Sequence, residues 1–185
     1  MERSSWRLTE EEELVVAAQA GDLEAFDMLA RRYRPAALTV ARQSLPAQQA
    51  EDAAQDALLS AFKALPSLQE PGRFPAWFGA IVRHRARRMG RVRSREPLAL
   101  NQVIVTYAPA IVARLHEDER SQRVRCAISG LPAEVREPTT LHYLEGWTAL
   151  QIAEFLSLPV STVKWRLHTA RRLLRNRLAS LEEIE

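Results

Sequence analysis

Apolar residues recur at three- and four-residue spacing through most of this sequence, and no stretch alternates convincingly between apolar and polar as a half-buried strand does. That periodicity predicts an all-α fold. Leu14, Val15 and Ala18 lead into Gly21-Asp22, after which Phe26, Leu29 and Ala30 continue the pattern, with Asp22 placed to cap the helix that follows. A helix is expected from about Pro35 to Leu45, ended by Pro46. Another runs from near Gln49 through Ala53, Ala57, Leu58 and Phe62 to Leu65-Pro66. A further one spans about Pro75 to Met89, with Trp77, Phe78, Ile81 and Val82 on its apolar side.

After Gly90 the pattern dissolves. Arg91 to Pro109 lacks a helical period, yet Val103-Ile104-Val105 is too apolar for a free linker and is expected to dock. Helical character returns near Ile111, continues to Ser129-Gly130, and fills the last third, with Gly146, Pro159 and Ser161 as punctuation. The reading is two small helical domains, 8–92 and 112–181, joined by a semi-ordered linker over 93–111.

Hydrophobic residues make up 46% of the 185, so each domain can bury a core. The single cysteine, Cys126, excludes an internal disulfide, and its neighbours Val124, Ala127 and Ile128 predict a buried thiol. Met1 to Glu13 is polar and acidic, and no stretch reaches the roughly 18 apolar residues of a membrane span. A cytoplasmic protein without membrane insertion is expected. His84, His116, His142 and His168 are dispersed without ligand spacing, and there is no glycine-rich phosphate loop or nucleophile elbow. Neither metal, cofactor nor enzymatic activity is expected.

The net charge of +3 conceals segregation. Glu2, Glu10, Glu11, Glu12, Glu13, Asp22, Glu24 and Asp27 face only Arg3 and Arg7 in the first thirty residues, whereas Pro71 to Arg95 holds eight arginines and no carboxylate. Phe155 to Leu181 again carries only basic charge. Two separate basic blocks are the footprint of a polyanion binder.

Thr148 to Leu178 specifies how. Thr148 and Gln151 form a capping box opening a short helix with Ile152, Ala153 and Leu156. A break at Ser157-Leu158-Pro159-Val160 follows, and Ser161 offers a second cap before a long basic helix. Helix, tight turn, helix is the helix-turn-helix arrangement, whose second helix enters the major groove. At 100° per residue Val163, Leu167, Ala170 and Leu174 form the buried stripe. Ser161, Lys164, Trp165, His168 and Arg172 lie opposite, with Thr169 at the edge. Lys164 and Arg172 can pair with phosphate or with guanine edges.

Two features stand out in the N-terminal half. Asp52, Gln55, Asp56 and Leu59 fall at i, i+3, i+4 and i+7, an acidic and amide face with an apolar end suited to a basic protein helix. Downstream, Phe74, Trp77 and Phe78 precede Arg83, Arg85, Arg87 and Arg88, so arginines can track a backbone while rings stack on unpaired bases. Periodicity assigns Trp77 and Phe78 to the core and leaves Phe74, His84 and the arginines for contact.

Together these motifs resemble a known family. Gly21-Asp22, Ala25-Phe26, Arg32-Tyr33, Ala50-Glu51-Asp52-Ala53, Gln55-Asp56 and Phe74-Pro75-Ala76-Trp77 are similar to the promoter-melting domain of extracytoplasmic-function sigma factors. Leu131-Pro132, Tyr143 to Gly146, Gln151 to Ala153, Pro159-Val160, Thr162 to Leu167 and Ala170-Arg171 resemble their C-terminal promoter-reading domain. The resemblance implies a factor that directs core RNA polymerase to promoters and helps open the DNA, with an anti-sigma factor or other regulator as a further partner. By it, Asp52, Gln55, Asp56 and Leu59 bind the polymerase. Arg73, Phe74, Arg83, His84, Arg87 and Arg88 capture the minus-ten strand. Ser161, Thr162, Lys164, Trp165, His168, Thr169 and Arg172 read the minus-thirty-five duplex.

Four positions depart from the pattern. Ser157 replaces a common turn glycine, predicting a strained turn, and Pro138 is expected to kink or shorten its helix. His84 and Thr169 replace a common asparagine and arginine. The rival readings are a helix-turn-helix regulator with a dimerising or sensing N-terminal domain, which predicts a palindromic site bound without polymerase, and an RNA-binding protein.

Overall fold

The computed structural model describes residues 9–93 and 119–182, with side chains over 9–91 and 124–175. The expected linker docking at Val103 to Val105 and the helix start near Ile111 lie outside the described residues. The chain divides into two compact units, one built on residues up to Arg91 and the other taking most of the chain from Val92 onward. Among the described residues every regular element is helical, as the periodicity predicts.

In the first unit, α1 (Glu10–Gln19) opens on a capping box: the Glu12 amide donates to Thr9 Oγ1 at 3.3 Å, and the Thr9 amide donates to Glu12 Oε2 at 2.6 Å. Gly21, at φ +99°, turns the chain through a conformation that side-chain-bearing residues rarely adopt. Asp22 Oδ1 then accepts from the amides of Glu24 and Ala25, capping α2 (Leu23–Ala41) as expected.

The separate helix expected from Pro35 does not exist; α2 passes through Pro35 without a break. An interior proline costs about 3 kcal/mol. Tyr33, Ala36, Ala37, Val40 and Ala41 around it are all buried, and that packing overrides the local preference. α2 therefore ends four residues earlier than expected, and Leu45 enters the core from the turn before Pro46.

α3 (Ala47–Ala64) packs on α2 through Ala50, Ala53, Ala54, Ala57 and Ala61, each fully buried. Side chains this small let two helix backbones approach closely. Glu51 reinforces the contact by accepting from Arg34 at 3.0 Å and from Arg42 at 3.1 Å. Two one-turn 3-10 segments, Leu65–Ser67 and Pro71–Arg73, lead into α4 (Phe74–Arg93), which extends past the expected end at Met89. Ala86 and Met89 of α4 close a cluster with Ala41, Leu45, Ala50 and Ala53.

The later helices are α5 (Glu119–Ser129), α6 (Ala133–Tyr143), α7 (Ala149–Leu156) and α8 (Val160–Glu182), all in the second unit except Glu154–Ser157, at the end of α7, which group with the first. Leu131 and Val135 pack on Ala170, Leu173 and Leu174 of α8. The helix of Pro138 is not shortened: α6 continues to Tyr143, with Pro138 itself buried. His142 Nδ1 donates to the Trp147 carbonyl at 2.7 Å, which fixes the protonated nitrogen because a carbonyl only accepts. Cys126 is exposed, contrary to the buried thiol expected: α5 turns Ala127 and Ile128 inward, which leaves position 126 on the outer face.

The expected capping box at α7 is present, with the Gln151 amide donating to Thr148 Oγ1 at 3.2 Å and the Thr148 amide donating to Gln151 Oε1 at 2.9 Å. Ser161 does not cap α8. The helix already starts at Val160, ahead of Ser161, and the first turn closes when the Val163 amide donates to the Pro159 carbonyl at 3.1 Å. Proline suits that boundary because its missing N–H has no intrahelical partner to lose.

Ser157 has φ +55°, so the turn carries the strain its sequence predicts. The left-handed region costs an L-residue roughly 1–2 kcal/mol. Ser157→Gly is expected to raise the melting temperature by about 2 °C, since the added freedom of the unfolded chain offsets part of the relief. Calorimetry checks this; a lower melting temperature would show that the serine hydroxyl outweighs the strain.

Candidate nucleic-acid and protein interfaces

α3 exposes one face and buries the opposite one. Asp52, Gln55, Asp56 and Leu59 are all exposed on that face, Leu59 by 52%. Among the described residues neither Asp52 nor Asp56 has an ion-pair partner, whereas adjacent Glu51 is held by two arginines. Thus one carboxylate of the Glu51-Asp52 pair fastens α3 to α2 and the other faces outward. Phe62, one of the apolar residues of this helix, is 42% exposed and meets Phe26 edge-on at a centroid distance of 4.9 Å. It lies three residues beyond Leu59 and extends the apolar end of the face, a relation visible in the spacing.

α4 separates its faces in the same way. Phe78, Val82 and Ala86 are buried, while His84, Arg87 and Arg88 are exposed at i, i+3 and i+4. Arg91, at i+7 from His84, is exposed in line with them and was missed because the helix was expected to stop at Met89. Arg83 is half-buried on the flank. Arg85 donates to Ser60 Oγ at 2.6 Å and joins α4 to α3. Arg73 is exposed and pairs with Glu70 at 2.6 Å.

Phe74 does not face outward with these arginines as expected. It is 2% exposed, edge-on to Tyr33 at 5.1 Å and stacked on Phe78 at 5.8 Å. The aromatic run Phe74 to Phe78 enters the core at both ends and leaves Trp77 half-buried between them. Burial, with the Glu11 carboxylate accepting the hydroxyl's hydrogen bond, pushes the Tyr33 phenol well above its ordinary value and keeps it neutral. Phe74→Ala is expected to destabilise the first unit by about 3–5 kcal/mol. Thermal unfolding checks this: an unchanged melting temperature would return Phe74 to a surface role.

α8 matches its expected helical wheel. Val163, Leu167 and Ala170 are buried and Leu174 is half-buried. Ser161, Lys164, Trp165, His168 and Arg172 are exposed on the other side, and Thr162 and Thr169 are half-buried at its edges. Trp165 is 59% exposed, a large ring held in solvent beside a lysine. Arg171, part of the Ala170-Arg171 motif, and Arg175, which no motif singles out, are also exposed and widen the basic face. Among the described residues no group of His, Cys, Asp and Glu could hold a metal ion, and no helix is long and apolar enough to cross a membrane.

Comparison with known proteins locates both halves. Residues 29–96 match the sigma-70 region 2 family and residues 121–174 match sigma-70, region 4. The ECF RNA polymerase sigma-E factor of Escherichia coli strain K12 is 27% identical, covering 91% of this chain and 94% of its own. The RNA polymerase sigma-H factor of Pseudomonas aeruginosa is 28% identical, over 93% of this chain and 95% of its own.

The chain belongs to the extracytoplasmic-function sigma factors. As a sigma factor it directs core RNA polymerase to specific promoters and helps open the DNA for initiation. Among solved structures this sigma factor is similar to CnrH, seen in complex with the cytosolic domain of CnrY, at 25% identity and a TM-score of 0.59, covering 92% of this chain and 97% of CnrH. RpoE of Bartonella quintana, solved with the anti-sigma factor NepR, shares the fold at 24% identity and a TM-score of 0.59, covering 85% of this chain and 98% of its own.

Proposed function

We propose that the labour of this sigma factor is divided among the three exposed helix faces. Asp52, Gln55, Asp56 and Leu59 on α3 dock on core polymerase, with Phe62 extending the contact. Arg73, His84, Arg87 and Arg88, with Arg83 at the flank, hold the unpaired minus-ten strand. Ser161, Thr162, Lys164, Trp165, His168, Thr169 and Arg172 read the minus-thirty-five duplex. On this reading residues 8–92 are the polymerase-binding and melting domain, 112–181 the duplex reader, and 93–111 the linker. The observation that carries the proposal is that α4 and α8 expose basic rows while α3 exposes Asp52 and Asp56, which have no ion-pair partner among the described residues.

The protein works in the cytoplasm and supplies no bond-making chemistry; binding energy opens the DNA and the polymerase makes the bonds. An anti-sigma factor covering these faces is the expected control, in keeping with the complex of the similar chain CnrH with the cytosolic domain of CnrY.

Trp165→Ala tests the duplex-reading face. The indole can pack on sugars or thymine methyls, and affinity of the holoenzyme for its upstream duplex is expected to fall about tenfold when that contact is removed. Co-purification with core should be unchanged. Lost core binding with intact duplex affinity would assign Trp165 to a protein interface instead.

A further inference from the structure

The segment between α3 and α4, residues 65–73, delivers Arg73 to the surface. Its own backbone supplies few ties: the Leu68 amide donates to the Leu65 carbonyl at 3.0 Å and the Arg73 amide to the Glu70 carbonyl at 2.9 Å. Its anchor comes from α1. Gln19 Nε2 donates to the Leu65 carbonyl at 3.1 Å and to the Leu68 carbonyl at 2.6 Å, across 46 and 49 residues of sequence. A primary amide has two N–H donors, and here each meets one carbonyl. Gln19 has no other evident task, because it ends α1 and is only half-buried.

α1 meets the same segment a second time. A Cβ placed on Gly72 would lie 2.7 Å from Glu12 Oε1, so the backbone next to Arg73 runs close against the carboxylate that closes the α1 capping box. The two contacts bracket the segment: Gln19 at its first turn, Glu12 at its second.

We propose that Gln19 is a positioning residue for capture of the unpaired strand, with α1 setting the path of residues 65–73 and through it the place of Arg73. Gln19 need not touch DNA. The inference rests on the reading of Arg73 and α4 as the single-strand surface.

Gln19→Glu and Gln19→Met both preserve side-chain length and remove both donors, one adding charge and the other not. Holoenzymes assembled from the full chain capture short single-stranded DNA oligonucleotides of randomised sequence, and the captured pool is sequenced. Both variants are expected to lose about tenfold in capture, equivalent to roughly 1.4 kcal/mol, and to flatten the base preference of the native pool. Core co-purification and upstream duplex affinity stay at the native level. Unchanged capture and preference in both variants overturns the proposal. So does an equal loss of core, duplex and single-strand binding, which marks a merely structural glutamine. Arg87→Glu/Arg88→Glu is run beside them: if it too captures the native pool, the single-strand reading of α4 fails and the role of Gln19 falls with it. A native result for Gln19→Glu and Gln19→Met alone removes only Gln19.

Discussion

A chain carrying Asp52→Arg and Asp56→Arg is expected to fold normally and to lose co-purification with core RNA polymerase. Both side chains are exposed on α3, and neither has an ion-pair partner among the described residues that the change would orphan. Arginine is also the better helix former, so the helix itself does not suffer. If α3 is the docking face, as proposed, the change replaces two attractive pairs with two repulsive ones. Close charge pairs across interfaces couple by roughly 1.5 kcal/mol or more, so two reversals predict a loss on the order of 100-fold. Native binding should also weaken as salt rises, since exposed charges are screened within about 10 Å at 0.1 M salt. Pull-down with purified core at two salt concentrations reads both effects. Undiminished binding by the double variant would remove α3 as the docking face.

The second large effect is expected from Arg87→Glu/Arg88→Glu. These positions lie on the exposed row of α4, opposite Phe78, Val82 and Ala86. Glutamate and arginine have similar helix propensity, so stability should hardly move. Each arginine on a nucleic-acid backbone releases counterions, and reversal both removes that gain and adds repulsion from phosphate. Core co-purification and upstream duplex affinity should persist, while single-strand capture and promoter opening fall on the order of 100-fold. Permanganate reactivity of unpaired thymines reports the opening directly. A variant that opens DNA normally would place strand capture elsewhere.

Most of the architecture was legible because it rests on local rules. Asp22, Thr148 and Gln151 cap helices as their chemistry predicts, and the α8 wheel separates buried from exposed residues as drawn. The misreadings share a cause: tertiary packing decided between local options. Pro35 lies inside α2 because the residues flanking it are buried on its neighbours. Phe74 turned inward beside Phe78, one turn on, because Tyr33 of α2 offers it a ring to pack against, which no spacing within its own helix reveals. Cys126 faces outward because the two residues after it take the buried side of α5. Periodicity says which residues share a face, but not which way a short aromatic run or a lone thiol turns. Gln19 was invisible for a related reason: its partners are backbone carbonyls far along the chain, and a carbonyl leaves no trace in the sequence.

On the proposed reading this chain gives core polymerase a promoter preference through two separate DNA-reading surfaces. Core polymerase, alone and with the protein, transcribes fragmented genomic DNA of the source organism, and the RNA 5′ ends are sequenced. Start sites are expected that appear only with the protein, each preceded by two conserved sequence blocks at one fixed separation. No new start sites, together with a palindromic sequence bound by the protein without polymerase, would contradict it.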